Sequence, residues 1–282
     1  MSPRSMRLSF GNFYGSLKTR ADVAGIGLAE TVYPAHAQLP QHTHESAYFC
    51  LVLKGSYQET VARRQRVCRT SMLVFHPAGE AHSDRFGEEG GACFNLEFGP
   101  TWMERVRVIA KTLDAPTVFV DPATTRLAAR IQHELRVMDN VSALAIESLA
   151  LEIVVNSARR CNVKASPTGP PPWLKQSEEL IRVHIDAPLT LAELASAINR
   201  HPVHLAREFR RYYGCTIGDH IRRLRLEIAC RRLSTSDEPV AMIALACGFS
   251  SQSHFSTFFR QATGFTPGNY RATFRTALIP RK

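Results

Sequence analysis

Two sets of residues in this 282-residue chain have types and spacings that could do chemistry. The first is His42-Thr43-His44, followed further along by Pro77-Ala78-Gly79-Glu80-Ala81-His82. Residues i and i+2 of a strand point to the same side, so His42 and His44 would present two imidazoles together, as bidentate binding of a metal ion needs. The second set is a polar helix face near the C-terminus. Gln252, Ser253, Ser256 and Thr257 can hydrogen-bond to base edges and Arg260 to a phosphate. Phe255, Phe258, Phe259 and Ala262 fall at spacings of three and four and share the opposite, buried side. Gly248 can end the preceding helix, and Ser251 can cap this one by accepting a bond from a free backbone N–H.

The elements needed to hold such a face occur twice. Upstream, Leu191, Leu194, Ala195 and Ile198 form the apolar stripe of a short helix, and Asn199-Arg200-His201 turns the chain. Pro202 suits the first position of the next helix, which is expected to run to about Tyr213 and close at Gly214. Leu205, Phe209 and Tyr212 point inward there, while Val203, Ala206, Arg207, Arg210 and Arg211 lie on or beside the outward face. Either helix alone could belong to a plain bundle with solvated arginines. The pair, with fifty residues between Leu205 and Phe255 and the ending Gly264-Phe265-Thr266-Pro267, argues against that reading.

These residues resemble the paired helix-turn-helix domain of AraC/XylS-type transcriptional regulators. The likeness covers roughly Trp173 to Thr273 and is most specific from Gly248 to Arg271. The resemblance implies two recognition helices joined by a long central helix, Ile217 to Leu233, each reading one major-groove segment of double-stranded DNA. Carried over, the first reader is Val203, Ala206 and Arg207, with Arg210 alongside; the second is Gln252, Ser253, Ser256 and Thr257, with Arg260 on the backbone. Two positions depart from the pattern: His201 stands where a Ser or Thr cap is usual, and Ala206 offers no hydrogen bond, which leaves the first reader leaning on Arg207. The resemblance also implies RNA polymerase as a partner and a homodimer.

Charge agrees with a polyanionic partner. The net formal charge is +10, and from Trp173 onward 16 Lys and Arg face 9 Asp and Glu, a net of +7 against +3 in all that precedes. Seven widely spaced cysteines, an odd number without a Cys-x-x-Cys pair, exclude a disulfide framework or zinc knuckle as the expected design. Arginines at 4 and 7 precede no apolar run of signal length, and no stretch approaches ~18 uninterrupted apolar residues, so a soluble, cytoplasmic protein without a membrane span is expected.

The expected fold class is α+β in two domains. Residues 1–163 form a sensor and dimerisation domain, 164–172 a linker whose Lys-Ala-Ser-Pro-Thr-Gly-Pro-Pro-Pro cannot sustain a helix, and 173–282 an all-α tandem helix-turn-helix domain with its own core. Thr125–Met138 and Ser142–Arg160 read as two helices broken at Asp139-Asn140, with core stripes Leu127, Ile131, Leu135, Met138 and Leu144, Leu149, Ile153, Val154. Between about residues 20 and 100 the β-rich runs Ala47–Leu53, Ser56–Val61, Met72–Phe75 and Ala92–Phe98 alternate with Gly and Pro, as in a sandwich or barrel.

His42, His44, Gly55 and the Pro77–His82 segment resemble the two motifs of a cupin, a small β-barrel with histidines converging inside. Tyr48 stands where a cupin enzyme usually has a glutamate ligand, and Phe86 where another polar position is sought. Three readings of His42, His44 and His82 therefore stay open: ligands of a divalent metal, hydrogen-bonding groups of an effector pocket together with Tyr48, or structural histidines. The chain is expected to be a non-enzymatic, sequence-specific DNA-binding regulator controlled by a small molecule or metal. The alternatives are a metal-dependent cupin enzyme fused to a DNA-binding module, which the missing glutamate disfavours, and a nucleoid-type protein without sequence preference, which the polar base-reading faces disfavour.

Overall fold

Short β-rich runs recur along the N-terminal half, and in the computed structural model, which describes residues 6–110, 113, 115–161 and 170–275, they build one curled sheet. Its strands are β1 (Met6–Leu8), β2 (Ser16–Val23), β3 (Ile26–Tyr33), β4 (Gln38–His44), β5 (Tyr48–Val61), β6 (Arg64–Arg69), β7 (Leu73–His76), β8 (His82–Phe98) and β9 (Thr117–Phe119). The curl comes from the two long strands. β5 pairs with β6, β7 and β8, and β8 pairs with β3, β4 and β5, each changing partner along its length. The β5–β8 register shifts between Val52 and Lys54 and again between Gly55 and Tyr57, and such bulges bend a strand without ending it. Gly55 has φ +74°, and a Cβ there would lie 2.1 Å from the carbonyl oxygen of Gly90, so only glycine fits. The two expected runs 47–53 and 56–61 are thus one strand, because Gly55 turns it rather than breaking it.

Three helices follow: α1 (Pro100–Ala110), α2 (Pro122–Val137) and α3 (Ser142–Cys161). Asp121 caps α2 by accepting from the Thr124 N–H at 2.9 Å, Pro122 starts it, and Met138 ends it in the left-handed region at φ 43°. Leu127, Ile131 and Leu135 are buried as expected, but Met138, beyond the last turn, is exposed. In α3, Leu149, Ile153 and Val154 are buried, whereas Leu144 is 73% exposed. Ile146, Ala150 and Ile153 set the buried stripe, and a residue two before Ile146 lies on the far side of the helix.

The C-terminal region is all-helical: α4 (Pro172–Val183), α5 (Leu191–Ala197), α6 (Pro202–Tyr213), α7 (Ile217–Thr235), α8 (Val240–Ala246), α9 (Gln252–Thr263) and α10 (Pro267–Arg275). Thr190 and Glu193 form a reciprocal capping box on α5, His201 caps α6, Ser251 caps α9, and Gly214 and Gly264 close α6 and α9 at φ 71° and 77°. Leu191, expected in the α5 stripe, is 39% exposed at the first helical position. Residues 164–169 of the expected linker lie outside the described residues; Pro170 and Pro171 lead directly into α4.

The two helix-turn-helix units have different cores. Leu174, Ile181, Leu194, Ile198, Leu205, Phe209 and Leu224 make a separate core for the first unit. Phe255, Phe259, Phe265, Tyr270 and Phe274 of the second unit instead join one continuous core with Leu51, Leu53, Leu127, Ile131 and Leu135 of the sheet and α2. Tyr270 Oη donates to the Leu53 carbonyl at 2.9 Å, and the Arg136 guanidinium lies 3.8 Å from the centre of the Phe265 ring. Gly264 carries a second constraint, since a Cβ there would sit 3.1 Å from the Ala129 carbonyl of α2.

One arginine ties the two units together. From α7, Arg225 donates through Nε to the Ile185 carbonyl (2.9 Å), through Nη2 to that of Ala187 (3.1 Å) and through Nη1 to that of Gly248 (2.9 Å). Its fork spans the α4–α5 loop and the α8–α9 turn, a geometry that the single ammonium of lysine cannot reproduce. Arg225→Lys is expected to cost about 2–3 kcal/mol, since bonds to a charged donor contribute roughly 1.5–3 kcal/mol each and part of the set is kept. Urea denaturation measures this; an unchanged midpoint would show that the fork is dispensable.

Candidate functional site

The sheet brings the three expected histidines together and adds two residues to them. His42 and His44 lie on β4, and His82 opens β8 directly opposite His42. Tyr48 opens β5 opposite His76, the last residue of β7, and Glu59 lies further along β5. All six are buried, with the Glu59 carboxylate fully enclosed. Ring centres of His42 and His82 are 4.2 Å apart, those of His76 and His82 4.6 Å, and Tyr48 stacks on His76 at 4.4 Å with the planes 6° apart.

Two triads of ligand atoms result, each with its members within 4.8 Å of one another: His42, His44 and His82, and Glu59, His76 and His82. Backbone carbonyls orient two of the imidazoles, Pro40 O at 2.8 Å from His42 Nδ1 and Glu80 O at 3.2 Å from His82 Nδ1. With Nδ1–H of His82 donating to Glu80, its Nε2 is the acceptor, and Tyr48 Oη–H lies 3.1 Å from it. Arg66 Nε bonds Glu59 Oε2, and Glu59 Oε1 faces His76 Nε2 at 3.4 Å. His44 Nδ1, His76 Nδ1 and Glu59 Oε1 have no hydrogen-bond partner.

Burial, then the charge of neighbouring imidazoles, pushes His44 and His82 down to about 3; the same causes lower His42, through burial, and His76 well below the usual histidine range. Burial raises the Glu59 carboxyl against the pull of Arg66. Near neutral pH the four rings are therefore uncharged, the form in which imidazole binds metal. The cluster offers the donor set of a divalent-metal site.

His76 and Glu59 were not singled out in the sequence. The signal for Glu59 was the alternation of Tyr57, Glu59 and Val61, all three buried on β5. His76 had no independent signal, because a four-residue apolar strand does not show which end turns inward. Phe86 fills its position by stacking on Tyr33 at 4.1 Å.

The polar faces of the two helix-turn-helix units point outward. Val203, Arg207 and Arg210 are exposed on α6, with Ala206 half-buried between them. Arg207 Nη2 lies 3.2 Å from His204 Nδ1, and its Nε donates to Glu208 at 3.3 Å. On α9, Gln252, Ser253, Thr257 and Arg260 are exposed and Ser256 is half-buried, while Phe255 and Phe259 are fully buried. His201 performs the capping that its unusual type put in question, accepting from the Val203 N–H at 3.3 Å. Cys50, Cys68, Cys93, Cys215, Cys230 and Cys247 are buried, and no disulfide joins them. Among the described residues no helix is long and apolar enough to cross a membrane.

Two family descriptions match the chain: an AraC-like ligand binding domain over residues 24–154 and a helix-turn-helix domain over residues 194–273. The transcriptional activator RhaS of Pectobacterium carotovorum is 32% identical over 208 residues, covering 73% of this chain and 69% of RhaS. The chain belongs to the AraC/XylS family of transcriptional regulators. The regulatory protein SoxS of Escherichia coli K12 is 39% identical over 88 residues, 31% of this chain and 82% of SoxS. The bifunctional transcriptional activator/DNA repair enzyme AdaA of Bacillus subtilis is 26% identical over 133 residues, 47% of this chain and 63% of AdaA. The kinship is thus to regulators, through a ligand-binding and a helix-turn-helix domain.

The depressed histidines make stability depend on pH. Below about 6.5 the unfolded chain binds protons that the native cluster refuses until about pH 3, so stability present at neutral pH is lost as pH falls through that window. Each such group contributes a slope of about 1.4 kcal/mol per pH unit. His44→Gln is expected to flatten the profile by that amount between pH 6 and 4. Denaturation curves at several pH values decide it, and parallel profiles for the two proteins would show that His44 titrates normally.

Proposed function

We propose that this chain is a sequence-specific, double-stranded-DNA-binding transcriptional regulator, with residues 1–163 as an effector-sensing and dimerisation domain, 164–172 as a linker and 173–282 as the reader. The observation that carries this reading is the pair of outward-facing polar helices, α6 and α9, each backed by a buried aromatic face. The first reader is Val203, Ala206 and Arg207 with Arg210; the second is Gln252, Ser253, Ser256 and Thr257 with Arg260 on a phosphate. α7, with 19 residues and a length of about 28 Å at 1.5 Å per residue, spaces them for adjacent major-groove segments.

The curled sheet is read as a cupin-like barrel whose pocket residues His42, His44, Tyr48 and His82 meet the effector. An effector acts by binding one sensor conformation better than another. Exposed Val137, Met138, Val141 and Leu144 cluster at the α2–α3 turn and support pairing of two copies there. RNA polymerase is the partner through which a bound regulator acts, in the cytoplasm.

Footprinting tests the reading. Two protected segments about 10 base pairs apart are expected, with binding that weakens steeply as salt rises. Arg207→Ala should cost about 1–3 kcal/mol and relax preference at one base position, whereas Arg260→Ala should weaken all sequences alike. A sequence preference untouched by Arg207→Ala would remove Arg207 from the reading face, and protection without any preferred sequence would remove the regulator reading.

A further inference from the structure

We infer that the effector is a divalent first-row transition-metal ion held by Glu59, His76 and His82, with His42 and His44 flanking it. The inference rests on the reading of this chain as an effector-controlled DNA-binding protein and names the chemistry of its control.

Space comes first. Donor atoms of the triad already lie within 4.8 Å of one another, a separation that ligand bonds of about 2.0–2.2 Å close with small movements. The surroundings are filled by rings: Phe13 is 5.0 Å from His44 and 5.3 Å from Tyr48, and Tyr14 is 4.8 Å from His42, centre to centre. An ion needs only those small movements of the donors, whereas an organic molecule requires the rings to part.

Charge then separates the two triads. His42, His44 and His82 offer three neutral donors and put no anionic atom against a buried divalent ion. Glu59, His76 and His82 include a carboxylate. Glu59 Oε2 is held by Arg66, which leaves Oε1 unpartnered and turned toward His76. Two imidazoles and a carboxylate suit zinc, iron(II) or manganese(II) and leave positions for water or for His42 and His44.

The same residues reach the DNA-binding region. An ion bound to His82 Nε2 takes the lone pair that now receives the Tyr48 hydroxyl, so Tyr48 must release it. Tyr48 and Glu59 lie near opposite ends of β5, and between them Leu53 accepts the Tyr270 hydroxyl and Lys54 reaches the Phe274 carbonyl at 3.5 Å. Ligation of Glu59 near one end of β5 and release of the Tyr48 hydroxyl at the other therefore act on the strand against which α10 docks.

The experiment uses the full chain, stripped with chelator, titrated with Co2+ and followed by its visible d–d absorption, with Zn2+ in competition. DNA affinity with and without Zn2+ is measured on duplexes selected from a random pool. The expected result is a saturable d–d band whose affinity falls at least about tenfold in Glu59→Gln and in His76→Gln, and a DNA affinity that Zn2+ changes at least about fivefold in the wild type only. Because Glu59→Gln also unpairs Arg66, His76→Gln supplies the independent test, with thermal melts confirming that each variant folds. A site that survives Glu59→Gln and His76→Gln but is lost on His42→Gln or His44→Gln would place the ion in the other triad and overturn the assignment. Absence of a d–d band, or specific DNA binding indifferent to Zn2+, would overturn the metal effector while leaving the regulator intact; failure to select any sequence would overturn the regulator reading itself.

Discussion

The structure depends on one apolar junction, where Phe265, Tyr270 and Phe274 of the last helix-turn-helix unit close over Leu51 and Leu53 of β5 and the buried face of α2. Fully burying an aromatic side chain contributes roughly 1.5–3 kcal/mol, so this seam outweighs any single polar contact across it. The hydrogen bond from Tyr270 to the Leu53 carbonyl adds register, because a phenol has one short reach and the seam can close in one way. The sensor and the second reading helix are therefore parts of one packed body.

The first reading unit is held differently. Its core of Leu174, Leu194, Leu205 and Phe209 is its own, and its tie to the rest is α7 together with the three-pronged Arg225. An effector acting through β5 would meet the second unit directly and the first through this link. The mechanical asymmetry mirrors a chemical one: the second face is rich in hydrogen-bonding groups, while on the first the Arg207 guanidinium already touches His204 and Glu208.

In the sensor, burial does the electrostatic work. Four imidazoles within one enclosed cluster cannot all be protonated, and the low local dielectric and mutual repulsion keep them neutral. Neutral rings, two of them fixed by the Pro40 and Glu80 carbonyls, present lone pairs inward at no cost of deprotonation. The enclosed Glu59 and its Arg66 partner supply the one anionic donor of the two triads.

Local rules made much of this legible. Helix periodicity, the Pro202 start, the Ser251 cap and the Gly214 and Gly264 stops depend on residues within a few positions of each other, and α5, α6 and α9 lie where those signals put them. The spacing of His42 and His44 likewise fixed their common side, since a strand alternates with period two. Strand extent was less legible: Gly55 looks like a stop in sequence, and only its fit against Gly90 makes it a bend within β5. Leu144 and Leu191 carried an apolar type that suggested a core place, but their angular position sends them to the surface. The sequence by itself determined which helix faces are polar and outward and which histidines could share a side. Tertiary structure alone decided that Glu59 and His76 join those histidines and that the second reading unit merges with the sensor, because each depends on contacts between segments far apart in the chain, and no local pattern carries the geometry of a distant partner.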